Sequence, residues 1–157
     1  MTGISANCPD GNRSIGGGGR IKGGHGQVQL RHSQEAGVHH FVAGVVDVDG
    51  PDDPRSVTGY AVCAPLSADQ VTTVQQDSVS NSTSPKSQPA DCPPGMRVSG
   101  VGGSASIGSP NIPLAFESLV PEVDAQNVPG NTVTVTARET NDTDDPWTVR
   151  ATAYCVS

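Results

Sequence analysis

The residues of this chain with chemical potential are four cysteines, four histidines, two carboxylate-rich loops and one tryptophan. Cys8, Cys63, Cys92 and Cys155 include no Cys-x-x-Cys pair and lie far apart, which favours disulfides over a zinc site. His25, His32, His39 and His40 all fall in the first half. Neighbours on a strand point to opposite faces, so His39 and His40 cannot readily share a metal; His32 could meet one of them across strands. The plainer reading is surface histidines. Asp47-Val48-Asp49-Gly50-Pro51-Asp52-Asp53-Pro54 and Asn141-Asp142-Thr143-Asp144-Asp145-Pro146 offer oxygens of the kind Ca²⁺ takes. Neither has EF-hand spacing, and Asp and Asn favour turns in their own right, so solvated turns are expected, with no metal and no cofactor.

Catalytic patterns are missing from the sequence. There is no Gly-x-Ser-x-Gly, and Glu35, Glu117, Glu122 and Glu139 pair as glycosidase carboxylates only by free choice. Gly16–Gly19 and Gly100–Gly103 look like phosphate-cradling loops, but no helix start and no Gly-Lys-Ser/Thr follows. An enzyme is not expected. Trp147, beside Asp144 and Asp145, could stack on a sugar ring in a carbohydrate-binding module, with the acidic loops as Ca²⁺ ligands; a lone Trp more often covers core.

These residues sit in a chain that repeats itself. Cys8-Pro9-Asp10-Gly11-Asn12-Arg13 returns as Cys92-Pro93-Pro94-Gly95-Met96-Arg97, and the glycines that follow fall in register. Asp52-Asp53-Pro54 precedes Cys63 as Asp144-Asp145-Pro146 precedes Cys155. Self-similarity of this kind sets the architecture. It selects one of the three pairings that four cysteines allow: Cys8 with Cys63 and Cys92 with Cys155. Closing each loop contributes on the order of 4 kcal/mol in the chain-entropy view.

The elements that must position these groups are strands. Phe41–Val48 is rich in β-branched residues, Thr132–Arg138 alternates strictly, and Trp147–Cys155 is a further strand signal. No segment carries a capped 3.6-residue apolar stripe. The expected fold is all-β: a tandem duplication of a four-stranded antiparallel unit of about 60 residues, sandwich- or prism-like, each closed by one disulfide. Its first and fourth strands pair, and its glycines mark a bulge or sharp corner. The expected divisions are a flexible segment 1–7, unit one at 8–65, a linker 66–91 with an extra strand at Gln70–Gln76 and a loop at Ser78–Ala90, and unit two at 92–157.

Apolar residues make up 34% of the chain, with 19 glycines, and the net charge is −7. That charge argues against nucleic acid and anionic lipid as partners. Met1–Ser5 has neither a charged start nor an apolar stretch, and no apolar run of membrane-spanning length occurs. With the disulfides, this leads us to expect a mature exported protein in an oxidising, extracellular compartment.

The Cys-Pro-x-Gly-x-Arg-x-x-Gly-x-Gly-Gly openings, the Tyr60-Ala61-Val62-Cys63-Ala64 close and the Asn81–Lys86 stretch running into Ala90-Asp91-Cys92-Pro93 resemble a repeat of secreted proteins of Streptomyces and related actinobacteria. The likeness covers nearly the whole chain. In size and repeat style the chain is also similar to the small adaptor subunit of secreted umbrella toxin assemblies. The resemblance implies an exported, non-enzymatic adaptor or structural subunit that binds another secreted protein. The first copy departs from the repeat in its histidine-bearing middle and lacks the lead-in strand. Elements unique to one copy are therefore expected to carry recognition, above all the free leader Thr2, Gly3, Ile4, Ser5, Ala6 and Asn7. A glycan is the alternative ligand.

Overall fold

The computed structural model describes residues 2–23, 28–37, 39–47, 55–107, 114–141 and 144–157. The protein is all-β. Its described strands are β1 (Thr2–Asn7), β2 (Arg13–Gly23), β3 (Val28–Glu35), β4 (His40–Asp47), β5 (Arg55–Ala64), β6 (Val71–Asp77), β7 (Lys86–Asp91), β8 (Arg97–Ile107), β9 (Leu114–Val123), β10 (Pro129–Glu139) and β11 (Trp147–Val156). The only described helix is one 3-10 turn at Ala68–Gln70.

The two halves follow one strand plan. The first strand after each Cys-Pro-x-Gly turn pairs antiparallel with the last, β2 with β5 and β8 with β11. The middle strands pair likewise, β3 with β4 and β9 with β10. Disulfides join Cys8 to Cys63 and Cys92 to Cys155, each with Cα atoms 5.7 Å apart. The turn glycines Gly11 and Gly95 have φ of 78° and 85°, which explains why glycine recurs there. Each first strand carries a bulge at the same place, Ile15 in β2 and Ser99 in β8.

At these bulges the halves cross. A Cβ on Gly100 would lie 2.5 Å from the Ile15 carbonyl oxygen and 2.8 Å from Gly16 Cα, so the equivalent glycines of the two halves pack backbone against backbone. Ser99 Oγ donates across the same contact to the Ile15 carbonyl. A six-stranded sheet in the order β1-β4-β3-β8-β11-β6 runs through both halves, joined at His32↔Ser104 and Ser33↔Gly103. The other sheets are β7-β10-β9 and β2-β5.

Two divisions expected from sequence change. Thr2–Asn7 is not a free leader: it pairs with β4 from Thr2↔Val45 to Asn7↔His40. It occupies the place that β7 occupies on β10, so the first half has its lead-in strand after all. Its side chains carry little apolar alternation, and backbone hydrogen bonds to β4 hold it where Cys8 anchors its end. Residues 66–91 are likewise more than a linker. Val71–Asp77 forms the expected extra strand, on β11, and Lys86–Asp91, read as loop for its Ser and Pro, forms β7 on β10.

The core reflects the alternation of β10 and β11. Val133, Val135 and Ala137 pack with Val149, Ala151, Ala153, Leu114 and Trp147. In the first half Phe41, Ala43 and Val45 are buried. Phe41 lies against Gly17, where an added Cβ would strike its ring and the Tyr60 carbonyl. Glycine in β2 thus makes room for an aromatic ring whose burial contributes roughly 2–3 kcal/mol.

Candidate functional site

Among the described residues, those with chemical potential do not converge. His39 Nδ1 lies 2.6 Å from the Asn12 carbonyl, and His40 Nδ1 lies 2.7 Å from Asn7 Oδ1. His32 sits at the junction of the halves, opposite Gly44 and Ser104. Among the described residues no group of three or more His, Cys, Asp or Glu could hold a metal ion. His25, the loop residues 48–54 and residues 142–143 of the second acidic loop lie outside the described residues.

Trp147 is 1% exposed, which corrects the sugar-stacking alternative: its ring faces the core and not solvent. Lys86 fixes it there. The ammonium lies 4.6 Å from the ring centroid and donates to the carbonyls of Trp147 (2.6 Å), Asn81 (2.7 Å) and Val79 (3.0 Å). Burial lowers the Lys86 pKa, with Glu139 opposing. Asp144 and Asp145 are exposed beside this staple, but the aromatic platform they were to serve is inside.

A polar groove of about 550 Å³ lies where the halves meet, lined by Arg31, His32, Gln34, Ser104, Thr148 and Arg150 among others. Its guanidiniums are engaged: Arg150 forks onto Asp77 at 2.6 and 2.7 Å, and Arg31 Nε donates to the Ala105 carbonyl. Burial, then Arg31 and Arg150, lower the pKa of His32 and keep it neutral. The groove is lined by hydrogen-bonding groups.

The feature that sets the two halves apart is the edge of β5. In the second half the outer edge of β11 is covered by β6, from Arg150↔Asp77 to Val156↔Val71. β5 is the counterpart of β11, yet among the described residues nothing pairs with its second edge. The Val149 carbonyl accepts from Ser78 N, and Ser157 N donates to the Gln70 carbonyl, so the odd-numbered residues of β11 turn their amide groups toward β6. The equivalent alternation directs Val57, Gly59, Ala61 and Cys63 to the open edge of β5.

The outward face differs in the same sense. Thr152 and Tyr154 are fully buried, the Tyr154 hydroxyl accepting from Glu35 N of the first half. Their counterparts Tyr60 and Val62 are 49% and 53% exposed. Ile4, 38% exposed, lies against Gly59 from the facing sheet. Ser56–Ala64 contains no charge and no proline. Three other edges carry the usual protection against strand addition: β9 has Glu117, Pro121 and Glu122, β7 has Pro89, and β6 ends in Asp77, whereas β1, the outer strand of the six-stranded sheet, has neither charge nor proline. Sequence reasoning passed over this site, although the charge-free run with apolar residues on both faces was its signal.

No protein-family model matches the chain, and no curated protein or solved structure matches it.

Proposed function

We propose that this protein is an extracellular, non-enzymatic adaptor that binds another secreted protein by accepting one of its strands along β5. The observation that carries the reading is the edge of β5, bare among the described residues, where its counterpart β11 is covered by β6. Strand addition gains affinity from main-chain hydrogen bonds and specificity from alternate side chains. Tyr60 and Val62 would supply contacts on one face and Ile4 on the other. The paired cysteines suit an oxidising compartment, and no described helix is long and apolar enough to cross a membrane. The umbrella-toxin adaptor that the sequence resembles is one assembly such a subunit would serve. Thr2–Asn7, expected to carry recognition as a free leader, is an edge strand on β4, and this reading places recognition on β5 instead.

The test uses Ala61→Pro. Proline is tolerated on an edge whose amide faces outward, so the variant should melt close to the parent while losing one donor to an incoming strand. Both proteins are immobilised and exposed to culture medium of the native producer. We expect the parent to retain a secreted protein and Ala61→Pro to retain at least tenfold less. Equal retention by a folded Ala61→Pro variant would remove β5 as the site.

A further inference from the structure

We infer that the strand accepted by β5 is acidic: an extended partner segment, antiparallel to β5, with a carboxylate side chain near its C-terminal end, opposite Thr58. This rests on the adaptor reading and names its partner. The covered edge of the second half supplies the template. There one rung reads Ser104, Arg150, Asp77 across β8, β11 and β6, closed by the Arg150–Asp77 fork. The equivalent rung of the first half reads Arg20, Thr58 and then the open edge. The cation has moved one strand inward, and the place of the carboxylate is vacant among the described residues. Strands lie about 4.8 Å apart, so an arginine leaning across a threonine can meet a glutamate two strands away.

The surrounding charge points the same way. The chain has nine Lys and Arg against sixteen Asp and Glu. β2 and β5 nevertheless carry Arg13, Arg20, Lys22 and Arg55 and no carboxylate. Arg20 and Lys22 are exposed and share one face of β2 with Gly18, opposite Tyr60. A cationic two-stranded sheet attracts an acidic strand, while two copies meeting β5 to β5 would bring their cationic sheets together, which disfavours that symmetric pairing. The direction and register follow from β6. Its first residue, Val71, lies opposite Val156, the counterpart of Ala64, and its last, Asp77, opposite Arg150, the counterpart of Thr58.

The experiment titrates three seven-residue peptides into the isotopically labelled full chain, followed by amide shifts. The parent peptide is Val-Thr-Thr-Val-Gln-Gln-Asp, the β6 sequence; an acidic version has Glu at its fifth and seventh positions, and a basic version has Lys there. We expect shifts centred on Val57, Gly59, Ala61 and Cys63, with the acidic peptide at least tenfold tighter than the basic one at low salt. That gap should shrink as salt screens it. Arg20→Glu with Lys22→Glu, both exposed, should leave the melting temperature nearly unchanged and reverse the order. Equal binding of acidic and basic peptides at those amides would overturn the charge assignment and leave strand addition standing. No shift at those amides with any peptide would overturn strand addition itself. Shifts there that grow with protein concentration alone would make a second copy the occupant, and the proposal would fall.

Discussion

Gly100→Ala should be among the most damaging single-methyl changes in this protein, and Gly18→Ala should be nearly silent. The new methyl of Gly100→Ala would sit 2.5 Å from the Ile15 carbonyl oxygen and 2.8 Å from Gly16 Cα. Both are backbone atoms and cannot swing aside. Comfortable contact begins near 3.5 Å, so β2 and β8 must part by about 1 Å. Overpacking of this kind costs about 1–3 kcal/mol. Parting the strands also strains the Ser99 Oγ bond to the Ile15 carbonyl, 3.1 Å long. That bond contributes about 1 kcal/mol. A total near 3 kcal/mol lowers the melting temperature by roughly 6–12 °C in a chain of this size. At Gly18 nothing lies within 4 Å of an added Cβ, and the change should stay within about 0.5 kcal/mol. Scanning calorimetry of both variants, disulfides intact, decides the matter. Equal melting temperatures would refute the backbone crossing as the contact that holds the halves together.

Deleting Met1–Asn7 removes β1, with its Thr2–Asn7 pairing to β4, and should cost on the order of 2 kcal/mol, roughly 4–8 °C; an unchanged melting temperature would return the segment to the role of a free leader. Lys86→Met removes the ammonium that donates to the carbonyls of Val79, Asn81 and Trp147. We expect a loss of about 1–3 kcal/mol in urea unfolding and faster proteolysis between β6 and β7, and an unaltered midpoint would contradict the staple. The unfolded His32 imidazole takes its proton near its ordinary value of 6.5, while the folded one does so only at lower pH. Acidification below about pH 6.5 therefore favours the unfolded chain, and this stability returns as pH rises. His32→Gln should flatten that slope, and an identical pH profile for the variant would show that His32 is not held neutral.

The sequence by itself determined the all-β class, most of the strands and which cysteines pair. It could do so because these are local or repeated signals: β-branched alternation, proline and glycine punctuation, and a Cys-Pro-x-Gly opening that recurs in register with its closing cysteine. It also marked the glycine runs as corners, and both first strands do bulge there. Tertiary structure alone decided the rest. Thr2–Asn7 and Lys86–Asp91 lack a strand's apolar pattern, and only the edges of β4 and β10 make them strands. Trp147 beside two aspartates reads as core more readily than as a sugar platform, and only Lys86 and the β10–β11 packing place it inside. The repeat implies equivalent halves, yet among the described residues β11 is covered and β5 is bare, and that difference belongs to pairing between segments distant in the chain. Hydrogen bonds between strands are made by backbone groups that every residue shares, so no residue type announces which edge will be filled.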